Sequence, residues 1–173
     1  MIFLTGGARS GKSALAARLA TNSGAPVRLV VTARVDDEEM AARVDEHRRR
    51  RPENWTVVEA PVDLPGAIRG SDPNEALIVD CITLWVSNLM EGHDDLTIED
   101  RVGEAVATAS GRSAPTIVVS NEVGSGLVPM HPLGRRFRDL QGRANQRFAN
   151  RAEAAFLVVA GRALRLDPWS DAG

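Results

Sequence analysis

Gly6-Gly7-Ala8-Arg9-Ser10-Gly11-Lys12-Ser13 decides how the rest of this chain is read. The octapeptide matches GxxxxGK[ST], a turn whose glycines let backbone N–H groups face inward and cradle phosphate oxygens. The helix that follows points the positive end of its dipole into the same cradle. Lys12 is placed to reach β- and γ-phosphates, and Ser13 to hold Mg²⁺ through its hydroxyl. The flanks agree, because the apolar run Ile2–Leu4 reads as a strand and Ser13–Leu19 as a helix.

The basic residues sharpen this reading. The chain has 21 Lys and Arg residues, and Lys12 is the single lysine among them. Arginine serves everywhere else, so the lysine marks a task that a planar guanidinium does not perform.

Outward from the loop, short apolar runs alternate with longer amphipathic stretches. Strands are expected at Met1–Thr5, Val27–Thr32, Thr56–Glu59, Ala76–Asp80, Thr116–Ser120, Ala155–Ala160 and Ala163–Leu166. Several are apolar throughout, which suits strands covered on both faces. Helices are expected at Lys12–Asn22, Asp37–Arg50, Val62–Arg69, Thr83–Met90, Thr97–Gly111 and Leu133–Arg151. Asp36 with Glu39 forms a capping box for the second of these. The alternation predicts an α/β fold with a mostly parallel sheet of about seven strands and one antiparallel edge. Asn121–Gly134, rich in Gly and Pro, is long enough for a functional loop.

A chain of 173 residues, 43% hydrophobic and 25% charged, fits a single globular domain over 1–173. Its formal net charge of −2 argues against a bulk nucleic-acid binder. One cysteine excludes an internal disulfide and a multi-cysteine zinc site. With no export signal and no apolar run of about 18 residues, a cytoplasmic protein without a membrane span is expected.

A phosphate loop needs a carboxylate at the end of a neighbouring strand. Ala76-Leu77-Ile78-Val79-Asp80 is the one run of Walker B form, so Asp80 is the candidate to orient Mg²⁺. Glu59 also ends a strand, but it and Asp63 are poorer candidates. Cys81 reads as a small buried residue.

Met40, Val44 and His47 share one face of the second expected helix, which turns His47 toward the sheet. Arg48, Arg49, Arg50 and Arg51 follow, then Pro52. The residues alone leave two readings open. One is a half-buried histidine beside a solvated basic face. The other is a histidine that attacks phosphorus beside guanidinium groups that hold phosphate. His93 reads as surface, and His131 lies in the Gly/Pro loop.

Taken together, these segments resemble the bifunctional adenosylcobinamide kinase / adenosylcobinamide-phosphate guanylyltransferase family. The matching stretches are TGGARSGKS at 5–13, DDEEMAARVDEHRRRRPENW at 36–55, LIVDCITLWVSNL at 77–89, VVSNEVGSGLVP at 118–129 and LGRRFRDLQGRANQR at 133–147. The resemblance implies a RecA-like P-loop fold assembled as a homotrimer. It implies two reactions. A nucleoside triphosphate, ATP or GTP, phosphorylates adenosylcobinamide. GTP then donates GMP through a covalent GMP-histidine to adenosylcobinamide phosphate, releasing pyrophosphate. His47 takes the place of that histidine, with Lys12 as the other catalytic residue. The family's nucleotide contacts fall on Gly6, Gly7, Ala8, Arg9, Ser10, Gly11, Lys12, Ser13, Thr32, Ala33, Arg34, Arg48, Arg49, Arg50, Arg51, Glu59 and Asp80; Ser13 and Asp80 remain the metal ligands expected from the loop and the strand-ending aspartate. Glu46 stands where some members carry a second histidine.

A small-molecule kinase with the same loop but no covalent step is the alternative. A GTPase switch is disfavoured, because its NKxD guanine motif needs a second lysine.

Overall fold

The computed structural model describes residues 1–34 and 52–168. The helix expected over Asp37–Arg50, its Asp36/Glu39 cap, His47 and Arg48–Arg51 lie outside the described residues. Seven strands are present: β1 (Ile2–Thr5), β2 (Val27–Val31), β3 (Thr56–Glu59), β4 (Ala76–Asp80), β5 (Thr116–Val119), β6 (Ala154–Val159) and β7 (Arg162–Leu166). The described helices are α1 (Lys12–Asn22), α2 (Leu64–Arg69), α3 (Ile82–Leu89), α4 (Asp95–Ser110) and α5 (Pro132–Arg151).

The strands form one sheet in the order β3-β2-β4-β5-β1-β6-β7. All neighbours pair in parallel except β6 and β7, which are antiparallel. This is the mostly parallel sheet with one antiparallel edge that the sequence pattern predicts.

The inner strands are mostly apolar because their two faces meet two different cores. Phe3, Leu77, Val79 and Val118 pack on the side of α2, α3, α4 and α5. Leu4, Ile78, Ile117 and Val119 pack on the side of α1. Alternation along each strand therefore sorts the side chains between two covers rather than between core and water. On the four-helix side, Phe148 of α5 stacks on Phe3 with ring centroids 6.1 Å apart. Trp85 is fully buried there, and its indole N–H donates to the Val62 carbonyl at 2.8 Å.

Helix starts differ slightly from the sequence expectation, and caps explain why. Asp63, not Val62, opens α2, with its carboxylate accepting from the Gly66 N–H at 3.1 Å. Asp94 accepts from the Thr97 N–H at 2.9 Å, so α4 begins at Asp95, two residues before Thr97. His131 caps α5 through Nδ1, and Pro132 takes the first helical position, where no N–H is needed. A short side chain that accepts from an orphan N–H wins over hydrophobic periodicity at each boundary.

The topology fixes where chemistry can occur. β5 lies between β1 and β4, so the ends of β1 and β4 are two strand spacings apart, about 10 Å. In open parallel sheets ligands bind outside the carboxyl ends of the strands.

Candidate active site

The loop after β1 is shaped by close backbone approaches. Gly6 has φ 150°, and a Cβ there would stand 2.2 Å from the Val158 carbonyl oxygen of β6. Only glycine lets the chain pass this close. Gly11 has φ 104° and forms the left-handed cap of α1. The turn between β6 and β7 buttresses the loop from outside, as Gly161 N–H donates to the Ser10 carbonyl at 2.9 Å.

Lys12 lies beneath this loop with 6% of its surface exposed. Its ammonium donates to the Gly6 carbonyl at 2.8 Å and to the Gly7 carbonyl at 2.7 Å. Ser10 Oγ is a third neighbour at 3.4 Å. Burial lowers the Lys12 pKa from its ordinary value, and Cys81 and Asp80 oppose that shift. Asp80 supplies the opposing charge at neutral pH, because burial pushes the Cys81 thiol up to about 12 and keeps it neutral. Cys81 is thus no nucleophile, as its buried reading predicts.

Ser13 opens toward the end of β4. Its hydroxyl donates to Asp80 Oδ2 at 3.3 Å. The two residues expected to share a metal are therefore adjacent. A hydroxyl and a carboxylate are hard oxygen donors, and the pair suits Mg²⁺, which takes few protein ligands beside phosphate oxygens and water. Among the described residues no cluster of three or more His, Cys, Asp or Glu could hold a metal alone.

The other expected contacts line the same edge. Val31 is in register with Glu59 on one side and Asp80 on the other, so both acids flank the end of β2. Thr32 is fully buried: its hydroxyl accepts from the Cys81 N–H at 3.0 Å and donates to the Cys81 carbonyl at 2.6 Å. Its side chain ties β2 to β4, which leaves its neighbours Ala33 and Arg34 partly open to solvent. Arg34 pairs with Glu91 at 2.5 Å. Ala8 and Arg9 form the exposed crown of the loop, with Arg9 at φ 55°. His47 and Arg48–Arg51 lie outside the described residues.

A polar cluster behind the loop joins residues from three of the stretches that carry the family resemblance, 77–89, 118–129 and 133–147. Ser120 Oγ donates to Asn145 Oδ1 at 2.6 Å, and Gln141 Nε2 donates to both at 2.8 Å. Thr83 Oγ1 accepts from the Asn121 N–H at 2.7 Å, and Asn145 Nδ2 donates to the Asn121 carbonyl at 3.0 Å. The next residue, Glu122, gives its N–H to the Gly6 carbonyl at 3.0 Å, the oxygen that Lys12 also holds. The cluster therefore sets the back wall of the phosphate loop. The matching stretches do not say that these side chains bond to one another; the nearest hint is an amide pair four apart, beside the apolar stripe of α5. Arg143 and Arg147, by contrast, turn to Glu99 of α4 at 2.8 and 3.1 Å, so these two arginines of α5 join helices.

The chain is similar to known proteins in fold and in sequence. At the level of fold, the chain is similar to the flagellar accessory protein FlaH from Methanocaldococcus jannaschii, with TM-score 0.51 and 13% identity over 94% of this chain and 74% of that one. It is similar also to the RadB recombinase, with TM-score 0.50 and 17% identity over 90% of this chain and 72% of that one. The fold is accordingly the RecA-like P-loop fold. In sequence, it is 41% identical to the bifunctional adenosylcobalamin biosynthesis protein CobP of Pseudomonas aeruginosa, covering 91% of this chain and 92% of that one. It is 38% identical to the bifunctional adenosylcobalamin biosynthesis protein CobU of Escherichia coli, covering 96% and 99%. The family model described as cobinamide kinase / cobinamide phosphate guanyltransferase matches residues 2–166. With relatives this similar end to end and a phosphate loop held against a strand-ending aspartate, the chain belongs to the cobinamide kinase / cobinamide phosphate guanyltransferase family.

Proposed function

We propose that this chain phosphorylates adenosylcobinamide and then converts the phosphate to adenosylcobinamide-GDP. The observation that carries the reading is the convergence of Lys12, Ser13 and Asp80 at the carboxyl edge of a chain of this family.

In the first step the acceptor alcohol forms a bond to the γ-phosphorus of ATP or GTP. The bond from that phosphorus to the bridging oxygen breaks, the nucleoside diphosphate leaves, and the alcohol proton passes to solvent. The Lys12 ammonium can exchange its bonds to the Gly6 and Gly7 carbonyls for phosphate oxygens that carry the developing charge. Ser13 and Asp80 would hold Mg²⁺, which neutralises phosphate charge when bound. In the second step an imidazole nitrogen of His47 attacks the α-phosphorus of GTP and pyrophosphate leaves. A phosphate oxygen of the corrinoid then displaces His47, restoring the free imidazole. Arg48–Arg51 would hold phosphate oxygens beside it, and Thr32–Arg34 and Glu59 would border the nucleotide. Three copies in the cytoplasm would form the working assembly, as the family resemblance implies.

The test is labelling without corrinoid. The protein is incubated with Mg²⁺ and α-labelled GTP, precipitated and counted. We expect acid-labile, alkali-stable label that is lost in His47→Ala. A folded, GTP-binding protein that takes no label would instead leave a kinase without a covalent step.

A further inference from the structure

We propose that the groove between the end of α3 and the start of α5 seats the corrinoid during both transfers. This rests on the function proposed above and names where its second substrate binds.

The groove has a volume of about 420 Å³ and is lined by Ser87, Met90, Glu91, His131, Leu133 and Phe137, with Gly134 at its base. That holds one edge of a macrocycle of roughly 1,000 Å³, the rest of which would lie on the adjoining surface. Met90, Leu133 and Phe137 are its apolar lining, and Ser87, Glu91 and His131 its polar lining. A corrin macrocycle has a broad, largely apolar face and a fringe of primary amides. Such a ligand needs apolar contact beneath the ring and scattered hydrogen-bonding groups around it.

The loop beside the groove extends the apolar surface. Leu127 and Met130 are each 96% exposed, Val128 is 63% exposed and Leu133 is 55% exposed. A contiguous exposed apolar strip of this kind marks a binding surface. The strip is held in place rather than left loose. Arg135 Nη1 donates to the Pro129 carbonyl at 3.0 Å and to the Met130 carbonyl at 2.6 Å. Gly134 is in turn close to Pro129, for a Cβ on it would meet the proline ring at 2.9 Å. A presented surface loses little freedom when a ligand binds.

The location assigns the occupant. Near the end of α3, Asn88 donates to the Thr32 and Pro61 carbonyls at 2.8 and 2.9 Å, so the helix crosses the carboxyl ends of β2 and β3. Glu91, on the groove wall, is the partner of Arg34. The groove thus opens at the sheet edge that carries the phosphate loop. Its exposed loop begins at Glu122, whose N–H reaches Gly6. A macrocycle on the strip can send its alcohol arm along this loop toward Lys12, whereas nucleotide phosphates, being charged, are served by the loop and not by an apolar groove.

The test is equilibrium dialysis of cobinamide, and separately of GTP, against wild type and the Leu127→Glu/Met130→Glu double variant. Both side chains are solvent-exposed, so the variant is expected to fold, and sedimentation velocity is run on each protein. We expect the cobinamide Kd to rise at least ten-fold while the GTP Kd moves less than two-fold. Equal cobinamide Kd in both proteins overturns the proposal, as does absence of cobinamide binding to wild type. A changed sedimentation coefficient in the variant also overturns it, because the strip would then contact another copy. Binding that is lost in the variant supports the groove even if wild type turns cobinamide over in neither reaction; that result would sink the proposed function alone.

Discussion

The Ser13 hydroxyl donates to Asp80 Oδ2 at 3.3 Å, joining the first turn of α1 to the end of a strand two places away in the sheet. The bond places two hard oxygens where Mg²⁺ can meet them beside a bound triphosphate. Asp80→Asn keeps the shape and removes the charge. We expect kcat for the kinase reaction to fall by about 10²–10³-fold, the range for losing one preorganised electrostatic group. A Mg²⁺ titration of wild type and variant checks the cause. Raising Mg²⁺ should recover part of the loss, and an unchanged Mg²⁺ dependence would remove Asp80 from the metal site.

Lys12→Arg is the discriminating substitution at the loop. Arginine is abundant in this chain, yet the space beneath Gly6 and Gly7 holds a compact ammonium with two carbonyls within 2.8 Å. A broader, planar guanidinium does not fit that geometry. Lys12→Arg should therefore be as inactive as Lys12→Ala, with kcat down by about 10² or more. Parallel steady-state assays decide it, and an active Lys12→Arg enzyme would show that charge alone suffices.

Gly6→Ala tests the close approach to β6. The added Cβ would lie 2.2 Å from a backbone oxygen, at a φ that side chains rarely adopt. Strain of this kind costs about 2–4 kcal/mol. For a chain this long that is about 4–16 °C in Tm. Gly7 has open space around it, so Gly7→Ala should move Tm by less than about 2 °C. Differential scanning calorimetry on the pair separates the local clash from a general intolerance of the loop.

Asp94 gives a pH signature away from the site. Hydrogen bonds from Thr97 hold its carboxyl below the ordinary 3.8. A depressed folded pKa means the contribution is complete above 3.8 and is lost as pH falls through the lower folded value. Asn caps helices nearly as well but does not titrate there. Thermal melts of wild type and Asp94→Asn should therefore converge as pH is lowered from 7 to 3. A constant gap would show that the cap does not depend on the charge.

Much of this arrangement is legible in the chain, for identifiable reasons. Leu77-Ile78-Val79 and Ile117-Val118-Val119 read as strands because both faces are covered and no polar residue interrupts them. The phosphate loop is legible because glycine, lysine and serine at fixed offsets have few other uses. The start of α4 at Asp95 is less so, since Asp94 shows itself as a cap only once the Thr97 N–H is seen to need a partner. The cluster around Asn145 is least legible. Gln141 and Asn145 look like ordinary exposed amides on α5, and their burial depends on Ser120, which is 25 positions before Asn145 and meets it only through the sheet.

That cluster supports the last prediction. Asn145 is bonded on both sides of its amide, to Ser120, Gln141 and the Asn121 carbonyl. Gln141 uses only its NH₂, and its buried Oε1 has no partner among the described residues. Removing the two side chains is therefore unequal. Asn145→Leu takes the amide donor from the Asn121 carbonyl and the acceptor from the Ser120 hydroxyl, and each buried group left short of a partner costs about 1–3 kcal/mol. Gln141→Met keeps the volume, discards an unsatisfied acceptor and leaves Ser120 bonded to Asn145, so its cost should be about 1 kcal/mol or less. The function should divide in the same way. Asn145 fixes the peptide before Glu122, and the Glu122 N–H holds the Gly6 carbonyl. Asn145→Leu should raise the nucleotide Kd several-fold, while Gln141→Met leaves it within two-fold. Urea unfolding and nucleotide titration on both variants check the pair. If Gln141→Met is the more damaging, the cluster is held from Gln141, and Asn145 is not its centre.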